Sequence, residues 1–211
     1  KIYTMNTTMK NTKGMFSFLG IAVLAMTLFS CGKDGRRIKG SGLIISQTIG
    51  LNEIRGVSLS IDARVWIAPG DPQSVVIEAQ NNIIHNIEKY VTSDGVWQIG
   101  SYEPVKNLAG IDIRITTPHF YYAKVSGSGS IKTTGQFSDS TDVILKISSS
   151  GNIYMNSIAD VIDSDISGSG YIALNGMANR HYIDISGSGK VNAFNLETSK
   201  SDVHISGSGI S

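Results

Sequence analysis

The sequence predicts an all-β fold of the solenoid kind: a parallel β-helix-like solenoid with rungs of about 20 residues and one short helix in its N-terminal half. Three observations predict it. An aliphatic residue followed by Ser-Gly-Ser-Gly or a near copy occurs five times, at Val125–Gly129, Ile147–Gly151, Ile166–Gly170, Ile185–Gly189 and Ile205–Gly209. The last glycines of these phrases step by 22, 19, 19 and 20 residues. Such a period marks repeats that cannot bury an apolar face alone and must stack on one another. Finally, the four prolines, Pro69, Pro72, Pro104 and Pro118, all precede the first phrase. The repeat region is thereby free of the residue that removes a ladder donor.

The N-terminus reads differently. Lys10 and Lys13 precede an apolar run from Met15 to Phe29, followed by Leu28-Phe29-Ser30-Cys31. A basic region, a short apolar stretch and a small residue before a cut make a secretory signal. Leu-Phe-Ser-Cys also resembles the bacterial lipobox, whose cysteine becomes the lipidated first residue of the mature chain. The run is shorter than the roughly twenty apolar residues that a spanning helix needs. Residues 1–30 are therefore expected to be a lipoprotein signal peptide, Cys31 the lipidation site and membrane link, and 31–39 a charged, glycine-rich flexible tether. Cys31 is the single cysteine, so no intrachain disulfide forms. Removing residues 1–30 takes away three lysines and no acid, moving the formal charge from +1 to −2. Such a body lacks the positive footprint that nucleic acid requires. The chain opens on Lys1 and stops just after a repeat phrase, so either end is a candidate truncation point.

Residues 40–211 are expected to form one domain, with 40–120 holding the first strands and the helix and 121–211 the Ser-Gly-Ser-Gly rungs. Period-two alternation marks strands at Val57–Ile61, Arg64–Ala68 and Ile111–Ile115, with further strands at Ser74–Ala79 and Val96–Ile99. Pro69-Gly70-Asp71-Pro72 and Ser93-Asp94-Gly95 read as turns. Ile83, Ile84, Ile87 and Tyr90 fall at helical spacing, which predicts a short helix capped by Asn81 or Asn82.

From Tyr121 onward the rungs align on the aliphatic residue of each phrase. Two places earlier stand Ala123, Leu145, Ser164, Ile183 and Val203, expected inward, and one place earlier Lys124, Lys146, Asp165, Asp184 and His204, expected outward. Ile131, Ile153, Ile172, Val191 and Ile210 begin a second inward row, and Phe137, Ile158, Met177 and Phe194 a third. The phrase itself would form the corner of each rung. Its glycines would allow a positive φ or a close backbone approach, and its serines would stack, bonding to neighbouring serines or to backbone.

This combination resembles a family of cell-envelope lipoproteins common in Bacteroidetes-type bacteria, the auto-transporter adhesin head or GIN-type domains. The likeness is carried by Cys31 in its lipobox, Gly40-Ser41-Gly42, Glu78 to Ile84, Ser93 to Ile99, Ile113 to Pro118 and the repeated phrase. It covers nearly the whole mature chain, and the ordered combination is far more specific than Ser-Gly-Ser-Gly alone, which flexible linkers also contain. The resemblance implies a right-handed β-helix-like solenoid, an outer-membrane, lipid-anchored location and a non-enzymatic role in adhesion or assembly, with glycans or other envelope proteins as partners. It brings no catalytic residues and no cofactor.

The outward row is the one arrangement with chemistry to offer. Asp165 and Asp184 on adjacent rungs would place carboxylates about 5 Å apart, near the separation used by retaining glycosidases. With Asp163 they would also suit calcium. Asp163, Asp165, Asp184 and His204 are thus candidate ion or glycan contacts. The alternatives are a solvated face of relieved charges and a carbohydrate-active enzyme using the Asp165 and Asp184 pair. His85, His119, His181 and His204 lack metal-ligand spacing and read as surface or turn residues. Phe120, Tyr121 and Tyr122 with Trp66 and Trp97 could make a carbohydrate stacking platform, or serve as core and cap. A phosphate loop is excluded, because no Gly-Lys-Ser/Thr follows the glycines. The open last rung, Ile205 to Ser211, would stack on further chain or on a partner.

Overall fold

Alternating β-branched and polar residues build almost everything in the computed structural model, which describes residues 37–106, 109–138 and 142–211. The expected signal peptide 1–30 and Cys31 lie outside the described residues. Residues 36–211 form one unit whose buried core is internal to it. Its strands are β1 (Ile38–Lys39), β2 (Ile44–Ile49), β3 (Gly56–Leu59), β4 (Arg64–Pro69), β5 (Ser74–Gln80), β6 (Val96–Ile99) and β7 (Val105–Lys106). They continue with β8 (Asp112–Thr117), β9 (Tyr122–Val125), β10 (Ser130–Thr133), β11 (Val143–Ile147), β12 (Asn152–Ile166), β13 (Tyr171–Ile185) and β14 (Lys190–Ile205). One helix of six residues, α1 (Asn81–Asn86), interrupts them. Among the described residues the fold is all-β with one short helix, as expected, but its strands form a curled mixed sheet where a parallel solenoid was expected.

Twelve strands share a single mixed sheet that curls. The curl comes from the length of β12: its first residues pair in parallel with β10 and its last five with β11. Strands β3, β9 and β11 therefore form a first face with the C-terminal parts of β12, β13 and β14. Strands β4 and β10 form a second face with the N-terminal parts. The sheet is parallel except where β5 joins β8 and β2 joins β5, both antiparallel. β1 and β7 make a separate parallel pair, so the last two residues of the expected tether, Ile38 and Lys39, are strand.

Chain order and stacking order differ at the N-terminal end. β3 pairs with β6 on one side and β9 on the other, and β4 lies between β8 and β10. The segment Gly56–Pro69 is thus a rung inserted between two later ones. Its corner, Ser60 to Ala63, lacks the repeated phrase, which is why the sequence pattern begins only at Val125.

The phrase does form the corner between the first and second faces, and its glycines are required by close approach. Positive φ occurs at Gly42, Gly95, Gly110 and Gly176, outside the corner phrases. A Cβ on Gly168 would fall on the Ser149 carbonyl oxygen, and one on Gly187 or Gly207 on the carbonyl of the glycine one rung before. The rungs are held there by backbone: Ser169 N donates to Ser149 O, Ser188 N to Gly168 O and Ser208 N to Gly187 O, each at 3.0 Å. Serine hydroxyls contribute little, with Ser149 Oγ on Gly127 O the clearest case.

The first inward row holds, with Ala123, Leu145, Ser164 and Ile183 buried, and Val203 on the last strand 51 % exposed. The second row, Ile131, Ile153, Ile172 and Val191, is buried, while Ile210 is exposed. The third row is corrected. Phe137 is buried, but Ile158, Met177 and Phe194 are exposed, and Ala159, Ala178 and Leu196 take the inside. The backbones approach closely here, since a Cβ on Gly176 would meet Ser157 O. Register runs the inward row from Phe137 through Ser157 and Gly176 to Leu196, so Ile158 and Met177, one place on, point to the other side.

The helix ends earlier than its spacing suggests, and its cap differs from expectation. Gln80 is the N-cap and makes no side-chain capping bond to the helix. Asn82 instead ties down the N-terminal segment, accepting from Ser41 N (3.0 Å) and donating to Lys39 O (2.9 Å). Ile83, Ile84 and Ile87 are buried, whereas Tyr90 is exposed.

Candidate functional site

Parallel pairing in register turns a sequence period into rows of side chains. On the first face Lys124, Lys146, Asp165, Asp184 and His204 stand opposite one another on successive strands. The row continues to Ser58 and Gln98 on β3 and β6, a continuation that no repeat phrase announces. Asp163 lies in the adjoining row, which runs through Tyr182 and Asp202. Asp163, Tyr182, Asp184, Asp202, Val203 and His204 line a shallow groove of about 310 Å³. The structure thus brings Asp163, Asp184 and His204 to one groove and sets Asp165 beside it in register. It adds Tyr182 and Asp202, whose repeat position two before the outward row was the available signal.

The electrostatics are uneven along this face. Burial pushes the Asp163 carboxyl above its ordinary range, Lys146 opposes the shift, and Asp165 and Asp184 add to it. Hydroxyl-rich or cationic ligands suit such acceptors. Calcium is less well served, because among the described residues no three His, Cys, Asp or Glu side chains come together as a metal site.

His181 corrects the surface reading of the histidines. It is 1 % exposed, lies inside the rung opposite Ile162, and its Nε2 meets Ser164 Oγ at 3.0 Å. Burial lowers its pKa to about 4, so the ring is neutral at pH 7.

The expected aromatic platform also divides. Trp97 and Phe120 are core residues; Trp97 Nε1 donates to Glu88 O (2.9 Å), and Phe120 packs on Phe137 with centroids 5.7 Å apart. Tyr121 closes a turn through its hydroxyl to Asp94 O (3.1 Å). Trp66 lies on the second face, where sequence reasoning had not placed Tyr154 and Tyr171 beside it. Lys132 stands between Trp66 and Tyr154 in register, its Nζ 5.6 Å and 6.0 Å from their ring centroids.

Residues 53–210 match the family model described as "Putative auto-transporter adhesin, head GIN domain". The chain belongs to this family. The GIN domain thus spans every rung from β3 to β14, including both faces described above. Three solved structures share its fold. A "putative adhesin" from Bacteroides fragilis is 20% identical with a TM-score of 0.70, covering 82% of this chain and 81% of that one. A "putative adhesin" from Parabacteroides distasonis is 23% identical with a TM-score of 0.61, covering 82% of each. A "putative lipid binding protein" from the same organism is 17% identical with a TM-score of 0.61, covering 81% of each. At these identities the likeness is one of fold. No curated protein matches the GIN domain's chain. Among the described residues no helix is long and apolar enough to cross a membrane.

Proposed function

We propose that this protein is a non-enzymatic, adhesin-like lipoprotein of the cell envelope. In this reading Cys31 anchors it to the outer membrane and residues from about Arg36 onward form a right-handed parallel β-helix-like solenoid that presents its faces to glycans or envelope proteins. The observation that carries the reading is the register that continues across the first face from β9 to the C-terminal part of β14, which lines outward side chains into rows. Long, flat, regularly spaced rows suit an extended partner better than a small substrate, which concave pockets favour. The strong preference of parallel crossovers for the right hand supports the handedness, and membership in the adhesin-head family supports the role.

Two experiments test it. Metabolic labelling with a fatty-acid probe should mark the full chain and fail to mark Cys31→Ala; equal labelling of both would remove the anchor from the account. The body from Arg36 to Ser211 should bind a glycan or envelope extract, and Asp165→Asn with Asp184→Asn should release no less polysaccharide product than the parent, because neither releases any. Turnover abolished by either change would establish a carbohydrate-active enzyme instead.

A further inference from the structure

We propose that the second face carries a binding strip for an acidic polysaccharide, in which Trp66, Tyr154 and Tyr171 supply ring faces and Lys132 meets a uronate carboxylate. The inference rests on the adhesion reading above and names the ligand class for it.

The strip is built by register. Trp66, Lys132 and Tyr154 occupy equivalent positions on β4, β10 and β12, so the two outer side chains stand about 10 Å apart, two strand spacings. Each rung advances by about 4.8 Å, comparable to one pyranose unit in an extended chain, so successive rungs can meet successive sugars. Tyr171 stands on β13 in the adjoining row, opposite Asn152, its ring edge-on to Tyr154 with centroids 5.8 Å apart. Between Tyr154 and Asn192 the row of Lys132 holds only Ala173, which leaves a notch. Asn192 Nδ2 donates to the Tyr171 hydroxyl (3.1 Å), and that hydroxyl keeps its own proton for a sugar oxygen. Tyr154 is exposed while its neighbours Ile153 and Met155 are buried, so its ring is not part of the core.

Charge selects the sugar. On this face Arg64 is paired with Asp112 (2.6 Å) and Arg114 with Glu78 (2.9 Å). Lys132 forms no ion pair among the described residues; its partners are the two rings. A cation held over aromatic surface is only partly satisfied, because a ring supplies less than a carboxylate does. A uronate would complete it, while the apolar face of the sugar covers the rings. A neutral chain would stack but leave the ammonium without its counter-charge.

The test titrates the Arg36–Ser211 body with oligogalacturonate, using a neutral β-glucan oligosaccharide for comparison. Oligogalacturonate should bind more tightly and weaken with added salt. Tyr154→Ala and Lys132→Gln should each bind about ten-fold more weakly, with unchanged thermal melts because both side chains lie outside the core. Lys89→Gln, at an exposed lysine outside the strands of either face, should bind as the parent does. A preference for the neutral chain, unchanged affinity in both strip variants, or no binding by the parent would each overturn the strip. Binding of envelope extract that persists in Tyr154→Ala and Lys132→Gln would overturn the strip while sparing adhesion. Loss of all surface binding by the parent would remove the adhesion reading itself.

Discussion

Replacing Gly168 with alanine tests why the corner phrase repeats. Its φ is not in the left-handed region, so an alanine there meets no backbone strain of its own. The obstacle is the rung before: the new Cβ would fall on the Ser149 carbonyl oxygen, with the carbonyl carbon and Cα of Ser149 at 3.0 Å. Those are backbone atoms and cannot swing aside. The two rungs must part, which strains the bonds from Ser167 N to Ile147 O (2.8 Å) and from Ser169 N to Ser149 O (3.0 Å). Losing two such bonds costs about 2 kcal/mol, and forcing a methyl into a packed site costs about 1–3 kcal/mol more. The expected destabilisation is about 4 kcal/mol, a fall of roughly 10 °C in Tm for a body of this size. Thermal and urea unfolding of the Arg36–Ser211 body would measure it. Gly50→Ala is the matched control, since a Cβ there meets nothing within 4 Å, and it should stay within about 0.5 kcal/mol of the parent. A Gly168→Ala variant as stable as that control would refute the close-approach reasoning.

Three further outcomes are expected. His181 is neutral in the folded rung until about pH 4, whereas an unfolded histidine protonates near 6.5. Its contribution is therefore complete above pH 6.5 and is lost as pH falls toward 4, about 3 kcal/mol in all. Unfolding free energies measured across that window should fall less steeply in His181→Gln, and parallel slopes would contradict the assignment. Trp97→Phe leaves a cavity and strips the Glu88 carbonyl of its donor, so urea denaturation should show a loss of about 3 kcal/mol; a loss below about 1 kcal/mol would contradict it. Ile158→Ser, on an exposed side chain, should change stability by less than about 0.5 kcal/mol, and a core-sized loss would restore the original third inward row.

Much of the architecture was legible because two periods coincide in this chain. Period two assigns a side, and a period near twenty assigns a rung, which together placed Lys124, Lys146, Asp165, Asp184 and His204 in one row. His181 was readable by the same rule. It stands four places before Ile185, as Ile162 does before Ile166 and Val143 before Ile147, all of them inward. Its residue type argued for the surface, and position prevailed. The third row failed for the opposite reason. Ile158 and Met177 are apolar, but the small Ser157 and Gly176 beside them stand in register with Phe137 and Leu196, and one step along a strand turns a side chain to the other face. The inserted rung Gly56–Pro69 was hidden because its corner has no glycine phrase and its neighbours are distant in sequence. The strip of Trp66, Lys132 and Tyr154 was hidden with it, since its first member lies on that rung.

The central claim is that the rows bind an extended partner and leave it intact. Incubating the Arg36–Ser211 body with a polysaccharide that it retains, then measuring the chain length of the recovered glycan by mass spectrometry, tests this most directly. Saturable retention with every chain recovered at its starting length is the predicted result. Chains shortened by the parent, and not by Asp165→Asn or Asp184→Asn, would contradict it.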